Sequence, residues 1–162
     1  MAGGYGSRLG KITKNCPKPL LKINNKPFIL YLIKNLYRQG IREFIILSYH
    51  KNTLFNKNIF KRYRDAKIKV IKEKTKLGTL GSIINVKKYI KETFFVVNGD
   101  SYFDINIRDL EFNFFKKKNY VGVALTKIST PLKKISYEIK NKKIVKISNS
   151  KKKEKLVCGG LY

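Results

Sequence analysis

The chain has 162 residues, of which 43% are hydrophobic, and this is enough to bury the core of one globular domain. No apolar run approaches the length of a membrane span, and the first residues lack the basic and apolar segments of a signal peptide. Cys16 and Cys158 match no metal-ligand spacing, which favours reduced thiols. The sequence therefore indicates a cytoplasmic protein without a membrane partner, with one domain over residues 1–162.

The formal net charge of +27 suggests a nucleic-acid binder at first, since clustered Lys and Arg displace counterions from phosphates. The excess is almost all Lys, and it accompanies many Ile, Asn, Phe and Tyr residues, as expected from an AT-rich coding sequence. The Lys residues are scattered along the chain, whereas a nucleic-acid interface concentrates them on one face or one helix. The pattern therefore does not favour nucleic acid as a partner.

The spacing of apolar residues alternates along the chain between the patterns of helices and of strands. Ile29, Leu32 and Ile33 have the spacing of an amphipathic helix, which ends before Gly40. After this first helix, strands and helices are predicted alternately, in the order "EFIILSY", "LFNKNIFKRY", "IKVIKE", "GTLGSIINVKKYI", "TFFVVNGD", "RDLEFNFFKKK" and "YVGVALTKI". This alternation predicts an α/β fold with a Rossmann-like, doubly wound and mostly parallel sheet. After residue 131, two short alternating runs about "KNKK" predict a small antiparallel hairpin.

The opening "MAGGYGSRLG" is a glycine-rich loop. Gly3, Gly4 and Gly6 allow backbone N–H groups to approach a polyphosphate closely, and Arg8 offers a forked donor for phosphate oxygens. Any tight turn can also be glycine-rich, so the loop alone does not identify a phosphate site.

Two further segments carry residues suited to phosphate chemistry. In "CPKPLLKINNKPF", two prolines flank Lys18 and stiffen the backbone around its ammonium group. In "VVNGD", Asp100 follows a predicted buried strand, where a carboxylate can hold Mg²⁺. Taken singly, the first also fits a solvated turn, and the second fits a turn or helix-capping aspartate.

Taken together, these segments resemble the sugar-nucleotide pyrophosphorylases, which are nucleotidyltransferases that join a sugar 1-phosphate to an NTP. The resemblance rests on their order and intervals and spans essentially the whole chain: "MAGGYGSRL", "PKPLLKINNKPF", "EKTKLGTLGS", "FFVVNGDSYFD" and the closing "VCGGLY". Within the family, the chain is most similar to guanylyltransferases acting on heptose 1-phosphate.

The resemblance implies a nucleotide site in which the glycines cradle the phosphates and Arg8 steadies the departing pyrophosphate. Glu73 and Gly78 fall where the family contacts the base, Gly78 through its backbone. The residues implied in nucleotide binding are Ala2, Gly3, Gly4, Gly6, Ser7, Arg8, Glu73, Gly78 and Thr79.

The resemblance also implies the catalytic and sugar-phosphate residues. Arg8, Lys18 and Asp100 match catalytic positions, and Asp100 matches a metal-binding aspartate, so Mg²⁺ is the implied cofactor. The sugar phosphate would be bound by Lys18, Gly160 and Lys151.

Several positions depart from the family pattern. The first strand and a second metal-binding aspartate are missing, so we expect a domain truncated at both ends, whose activity as such is in question. Ser7 stands where the family usually has Thr, a change that keeps the hydroxyl group. A Glu-Lys pair near the sugar is replaced by Asn149 and Ser150, and Lys151 follows.

The resemblance implies an enzyme that makes an NDP-sugar and pyrophosphate from an NTP, here GTP with heptose 1-phosphate, for polysaccharide biosynthesis. The alternatives within the fold are a mannose-1-phosphate guanylyltransferase and a glucose-1-phosphate thymidylyl- or uridylyltransferase. A non-catalytic, nucleotide-binding regulatory homologue is the alternative from another class. The sequence leaves the oligomeric state open, including a homo-oligomer.

Overall fold

The structure, a computed structural model, describes residues 1–6, 9–90, 92–116, 120–130 and 134–162. These residues form two compact units, Met1–Ile107 and Arg108–Tyr162. A single nucleotidyltransferase domain over residues 1–162, truncated at both ends, stays a prediction.

The first unit begins with short elements. The helix α1 spans Lys11–Lys14, and the strands β1 (Lys22–Ile23) and β2 (Lys26–Pro27) form an antiparallel hairpin. Asn24 and Asn25 between the strands have φ of 47° and 61°. Asn tolerates this left-handed conformation, which the tight turns of hairpins require.

A parallel strand pair and the predicted amphipathic helix form the centre of the first unit. The helix α2 (Phe28–Arg38) precedes the strand β3 (Glu43–Ser48), which pairs in parallel with β4 (Lys67–Lys72). The helix α3 (Gly78–Asn85) follows β4. The core of the unit is a cluster of buried side chains from these elements and the segments beside them: Ala2, Leu20, Ile29, Ile33, Ile46, Phe55, Phe60 and Tyr63.

The segment between β3 and β4 differs from the prediction. A helix was expected over "LFNKNIFKRY", but the structure has 3₁₀ turns at Asn52–Leu54 and Lys57–Phe60. Phe55 and Phe60 are both buried in the core, although a separation of five residues would turn them away from a common face of an α-helix. The need to bury both side chains therefore favours an irregular segment.

The strand predicted over "TFFVVNGD" is also absent as a regular element, since no strand is assigned over residues 93–96 and only a single bridge occurs at Val97. A strand needs a neighbour for its backbone hydrogen bonds. Met1 provides that neighbour only at the end of this segment, where its backbone pairs with Val97 and Gly99.

The helix α4 (Ile107–Lys116) leads from the first unit into the second, which contains the strands β5 (Leu125–Ser129), β6 (Lys134–Lys140), β7 (Lys143–Ser150) and β8 (Glu154–Cys158). These strands form an antiparallel sheet in the order β5-β8-β6-β7. The pair β6 and β7 is the hairpin expected after residue 131. With the parallel pair in the first unit, it confirms the predicted α/β fold, although this hairpin is part of a four-stranded antiparallel sheet. None of the described helices is both long and apolar enough to cross a membrane.

Candidate active site

The opening residues join the glycine loop to the sheet. The Ala2 N–H donates to the Leu47 carbonyl at 2.8 Å, near the carboxyl end of β3. On its other side, the Met1 nitrogen donates to the Val97 carbonyl at 2.8 Å, and the Gly99 N–H donates to the Met1 carbonyl at 2.6 Å. The loop therefore starts at the edge of the sheet where ligands of α/β proteins bind.

Within the loop, Gly6 has a conformation that favours glycine, with φ of 64°. A Cβ at Gly6 would lie 2.9 Å from Thr13 Cγ2, so a side chain would not fit there. The buried Thr13 hydroxyl donates to the Gly6 carbonyl at 3.0 Å and fixes the turn. Gly4 has open space around it. Ser7 and Arg8, which were predicted to bind the nucleotide, lie outside the described residues.

Two of the three predicted catalytic residues, Lys18 and Asp100, lie in contact. Lys18 Nζ is 2.8 Å from Asp100 Oδ2, and the side chains are 37% and 42% exposed. Lys18 begins a 3₁₀ turn after Pro17, a fully buried residue with φ of −57°. The prolines at positions 17 and 19 restrict the backbone on both sides of Lys18. Residues 82 positions apart in the sequence therefore form one charged pair.

Lys18 and Asp100 share a cleft of about 120 Å³ with the glycine loop. This volume is smaller than a pocket for a whole small-molecule ligand and suits a phosphate group with a cation. The lining residues are Met1, Ala2, Gly4, Gly6, Lys18, Pro19, Asn98 and Asp100. Asn98 is not among the residues that the sequence predicts for this site, although it lies only two positions before Asp100.

Glu73 lies directly after β4 and is only 5% exposed. Its Oε1 atom is buried and has no hydrogen-bond partner within the described ranges of the chain. A Cβ at Gly3 would lie 3.0 Å from Glu73 Oε2, which puts the carboxylate beside the glycine loop. A buried carboxylate oxygen without a partner is costly, so Glu73 is a residue whose hydrogen bonding the described part of the chain leaves incomplete.

Gly78 and Thr79 begin α3 and are exposed. Gly78 has φ of 70°, a conformation that favours glycine at this position. The predicted sugar-phosphate residues Lys151 and Gly160 lie in the second unit. Lys151 follows β7 and is exposed, and the N–H of buried Gly160 donates to Cys158 Sγ at 3.2 Å.

Replacing Gly99 with Ala is expected to destabilise the opening segment. The added Cβ would lie 2.6 Å from the Met1 carbonyl oxygen, a backbone atom that cannot rotate away. We expect the free energy of unfolding to fall by about 1–3 kcal/mol, measured by chemical denaturation. Gly122→Ala is the matched control, because its Cβ would meet Leu110 and Phe114 at an ordinary 3.6 Å. Equal stability of the two variants would contradict the expectation.

Comparison with known proteins identifies the family. Residues 1–136 match the nucleotidyl transferase family. The chain is 33% identical over 164 aligned positions to D-glycero-alpha-D-manno-heptose 1-phosphate guanylyltransferase from Campylobacter jejuni, and the alignment covers 100% of the chain and 72% of that protein. It is 32% identical to the enzyme of the same name from Aneurinibacillus thermoaerophilus, with 68% of the chain and 48% of that protein covered. The chain thus spans about half the length of this second relative.

Solved structures show the same fold. HddC from Yersinia pseudotuberculosis complexed with GMP-PN has a TM-score of 0.78 and 26% identity, with 99% of the chain and 72% of that protein covered. A putative glucose-1-phosphate thymidylyltransferase from Bacillus anthracis has a TM-score of 0.83 and 24% identity, with 99% of the chain and 67% of that protein covered. At this identity, the similarity supports the fold alone. With its phosphate-sized cleft at the carboxyl edge of the parallel strands, the chain belongs to the nucleotidyl transferase family.

Proposed function

We propose that the protein is a sugar-1-phosphate nucleotidyltransferase that forms an NDP-sugar and pyrophosphate, with GTP and heptose 1-phosphate as its substrates. The observation that carries this proposal is the Lys18–Asp100 pair, which lies with the glycine loop in one cleft. The names of the two heptose 1-phosphate guanylyltransferase relatives and the GMP-PN complex of HddC support the choice of substrates.

In this reaction, an oxygen of the sugar 1-phosphate attacks the α-phosphorus of the NTP in line, and pyrophosphate leaves. No nucleophile from the protein is needed, so catalysis depends on positioning and on neutralising charge. Lys18 can turn its flexible side chain from Asp100 to a phosphate oxygen. In this proposal, Arg8 steadies the pyrophosphate, and Lys151 and Gly160 bind the sugar phosphate.

A divalent cation, Mg²⁺ in this proposal, fits Asp100 together with phosphate oxygens of the substrate. Within the described part of the chain, no group of three or more His, Cys, Asp or Glu residues could hold a metal ion by itself. One carboxylate is nevertheless sufficient, because Mg²⁺ is commonly bound by one or two carboxylates plus substrate phosphates. When bound, the cation would neutralise the charge on the phosphates. Among the described residues that line the cleft, Asp100 has the only negatively charged side chain.

Glu73 is proposed to select guanine. Its carboxylate can accept the ring N–H and the amino N–H of guanine, and this would satisfy the buried Oε1 atom that lacks a partner among the described residues. Uracil and thymine present one ring N–H, so they would leave one carboxylate oxygen unsatisfied. Such unpaired buried groups are a strong basis for discrimination.

Replacing Glu73 with Gln tests this role. The amide keeps the size of the side chain but replaces one acceptor oxygen by a donor, which would face the donor groups of guanine. We expect the preference for GTP over UTP, measured as a ratio of kcat/KM values, to fall by about tenfold or more. Glu92→Gln, at an exposed position, is the control. An unchanged preference in Glu73→Gln would assign guanine recognition to other residues.

The proposed function itself is tested by pyrophosphate release from the full chain with each NTP and with heptose, mannose or glucose 1-phosphate. We expect turnover with GTP and heptose 1-phosphate that requires Mg²⁺. Equilibrium binding of GTP, ATP, CTP and UTP at low and moderate salt completes the test. Equal binding of all four that disappears with added salt would instead indicate an unspecific polycation. We also propose a cytoplasmic location, where the nucleotide substrates are found.

A further inference from the structure

Tyr5 of the glycine loop forms an aromatic cluster with Tyr49 and His50. We refer to these three residues as the tyrosine clasp, which has no role in the function proposed above. The rings of Tyr5 and Tyr49 pack edge to face with their centroids 5.6 Å apart, and the Tyr5 hydroxyl donates to the Tyr49 hydroxyl at 3.3 Å. The ring of His50 lies 5.2 Å from that of Tyr5.

The tyrosine clasp joins segments that follow two different strands. Tyr5 belongs to the glycine loop, whereas Tyr49 and His50 directly follow β3. A third segment approaches from the end of β4, where the Lys76 ammonium group lies 5.6 Å from the centroid of the Tyr5 ring. Lys76 lies three residues after Glu73, the proposed base-recognition residue.

Contacts fix the clasp to the glycine loop on both sides of Tyr5. On one side, Gly3 lies between Tyr49 and Glu73, since a Cβ there would be 3.3 Å from Tyr49 Cβ and 3.0 Å from Glu73 Oε2. On the other side, His50 Nε2 is 3.1 Å from the Thr13 carbonyl oxygen, and the Thr13 hydroxyl donates to Gly6.

Three of the four residues at positions 3–6 of the loop are glycine, so the loop needs contacts of this kind to be ordered. Glycine loses more conformational freedom on ordering than any other residue, so a free loop would pay that entropy when it binds phosphate. Tyr5 is 45% exposed, so burial alone does not hold its side chain. Its ring and hydroxyl contacts with Tyr49 therefore add to the Thr13–Gly6 hydrogen bond in ordering the loop before a ligand binds, which strengthens binding.

We propose that Tyr5 and Tyr49 are a positioning pair that holds the glycine loop in its phosphate-binding conformation. Neither residue needs to contact the reacting atoms. The pair acts on the substrate that the loop binds, which is the NTP, and leaves the sugar 1-phosphate unaffected. This inference rests on the proposed function.

The test compares Tyr5→Phe, Tyr49→Phe and the double variant in the full chain, with Tyr102→Phe as an exposed control outside the clasp. Each single variant loses the same hydroxyl contact and keeps its ring. We expect each to weaken NTP binding by about three- to tenfold, from the usual contribution of one hydrogen bond. The KM for sugar 1-phosphate and the melting temperature should stay unchanged. The double variant should bind the NTP no more weakly than either single variant, since all three lack the same hydrogen bond between Tyr5 and Tyr49.

Three results would overturn the positioning role: unchanged NTP binding in both single variants, additive losses in the double variant, or an equal rise of KM for both substrates. NTP binding by the unaltered protein tests the proposed function separately from the positioning role. If the unaltered protein binds no NTP, the proposed function fails and the positioning role fails with it. If the unaltered protein binds an NTP selectively and the Phe variants bind it equally well, only the positioning role fails.

Discussion

Replacing Asp100 with Asn is expected to lower turnover by about 100-fold or more. The amide keeps the size of the side chain but removes the negative charge, so the proposed divalent cation would lose its carboxylate ligand in the cleft. The change also removes the charge partner of Lys18, whose ammonium group lies 2.8 Å from Asp100 Oδ2. Pyrophosphate release at increasing Mg²⁺ concentrations measures both the loss and any shift in metal requirement.

Asp104→Asn is the matched control for this experiment, because Asp104 is exposed and four residues away. It should keep normal turnover and normal Mg²⁺ dependence. GTP binding in the presence and absence of Mg²⁺ gives a readout besides activity, since the Asp100 variant should lose the effect of Mg²⁺ on binding. Normal turnover of Asp100→Asn would mean that the cation is held elsewhere.

Replacing Lys18 with Gln is expected to lower kcat by about 100-fold as well. Lys18 follows the buried Pro17 and lines the cleft, so on the proposed function its positive charge would neutralise charge on a bound phosphate. Gln can still donate a hydrogen bond but carries no charge. Single-turnover measurement of pyrophosphate release separates this loss from a weaker affinity for the substrates.

Lys22→Gln removes an equal charge from an exposed position four residues away and serves as the control. It distinguishes a local role from an effect of net charge, which matters in a chain whose formal charge is +27. If both variants lose activity equally, the positive charge of the whole protein rather than Lys18 assists the reaction.

The contact between Lys18 and Asp100 shows which features of the site are predictable from the sequence. Both residues follow local signals, namely flanking prolines and the end of an apolar run. Ligands bind at the carboxyl edge of an α/β sheet, so both residues are expected at that edge although they lie 82 positions apart in the sequence. The burial of Glu73 is not visible in the sequence, in which only the resemblance to the family points to this residue.

Other features depend on tertiary contacts that no local pattern contains. The contact of Tyr5 with Tyr49 arises only after the glycine loop and the end of β3 are adjacent. The apolar segment over residues 93–98 has the composition of a strand, but a strand also requires a paired neighbour along its length. Similarly, the joint burial of Phe55 and Phe60 prevented the helix that their surrounding sequence suggested.

The ion pair in the cleft has a consequence for how ligands would enter it. In the free protein, Lys18 and Asp100 neutralise each other. If a phosphate binds Lys18, the Asp100 carboxylate loses its ion-pair partner. If a cation binds Asp100, the Lys18 ammonium group loses its partner in the same way. When both ligands arrive, both charges are satisfied again. On the proposed function, the two ligands are thus thermodynamically linked, and each increases the affinity of the protein for the other by the same factor.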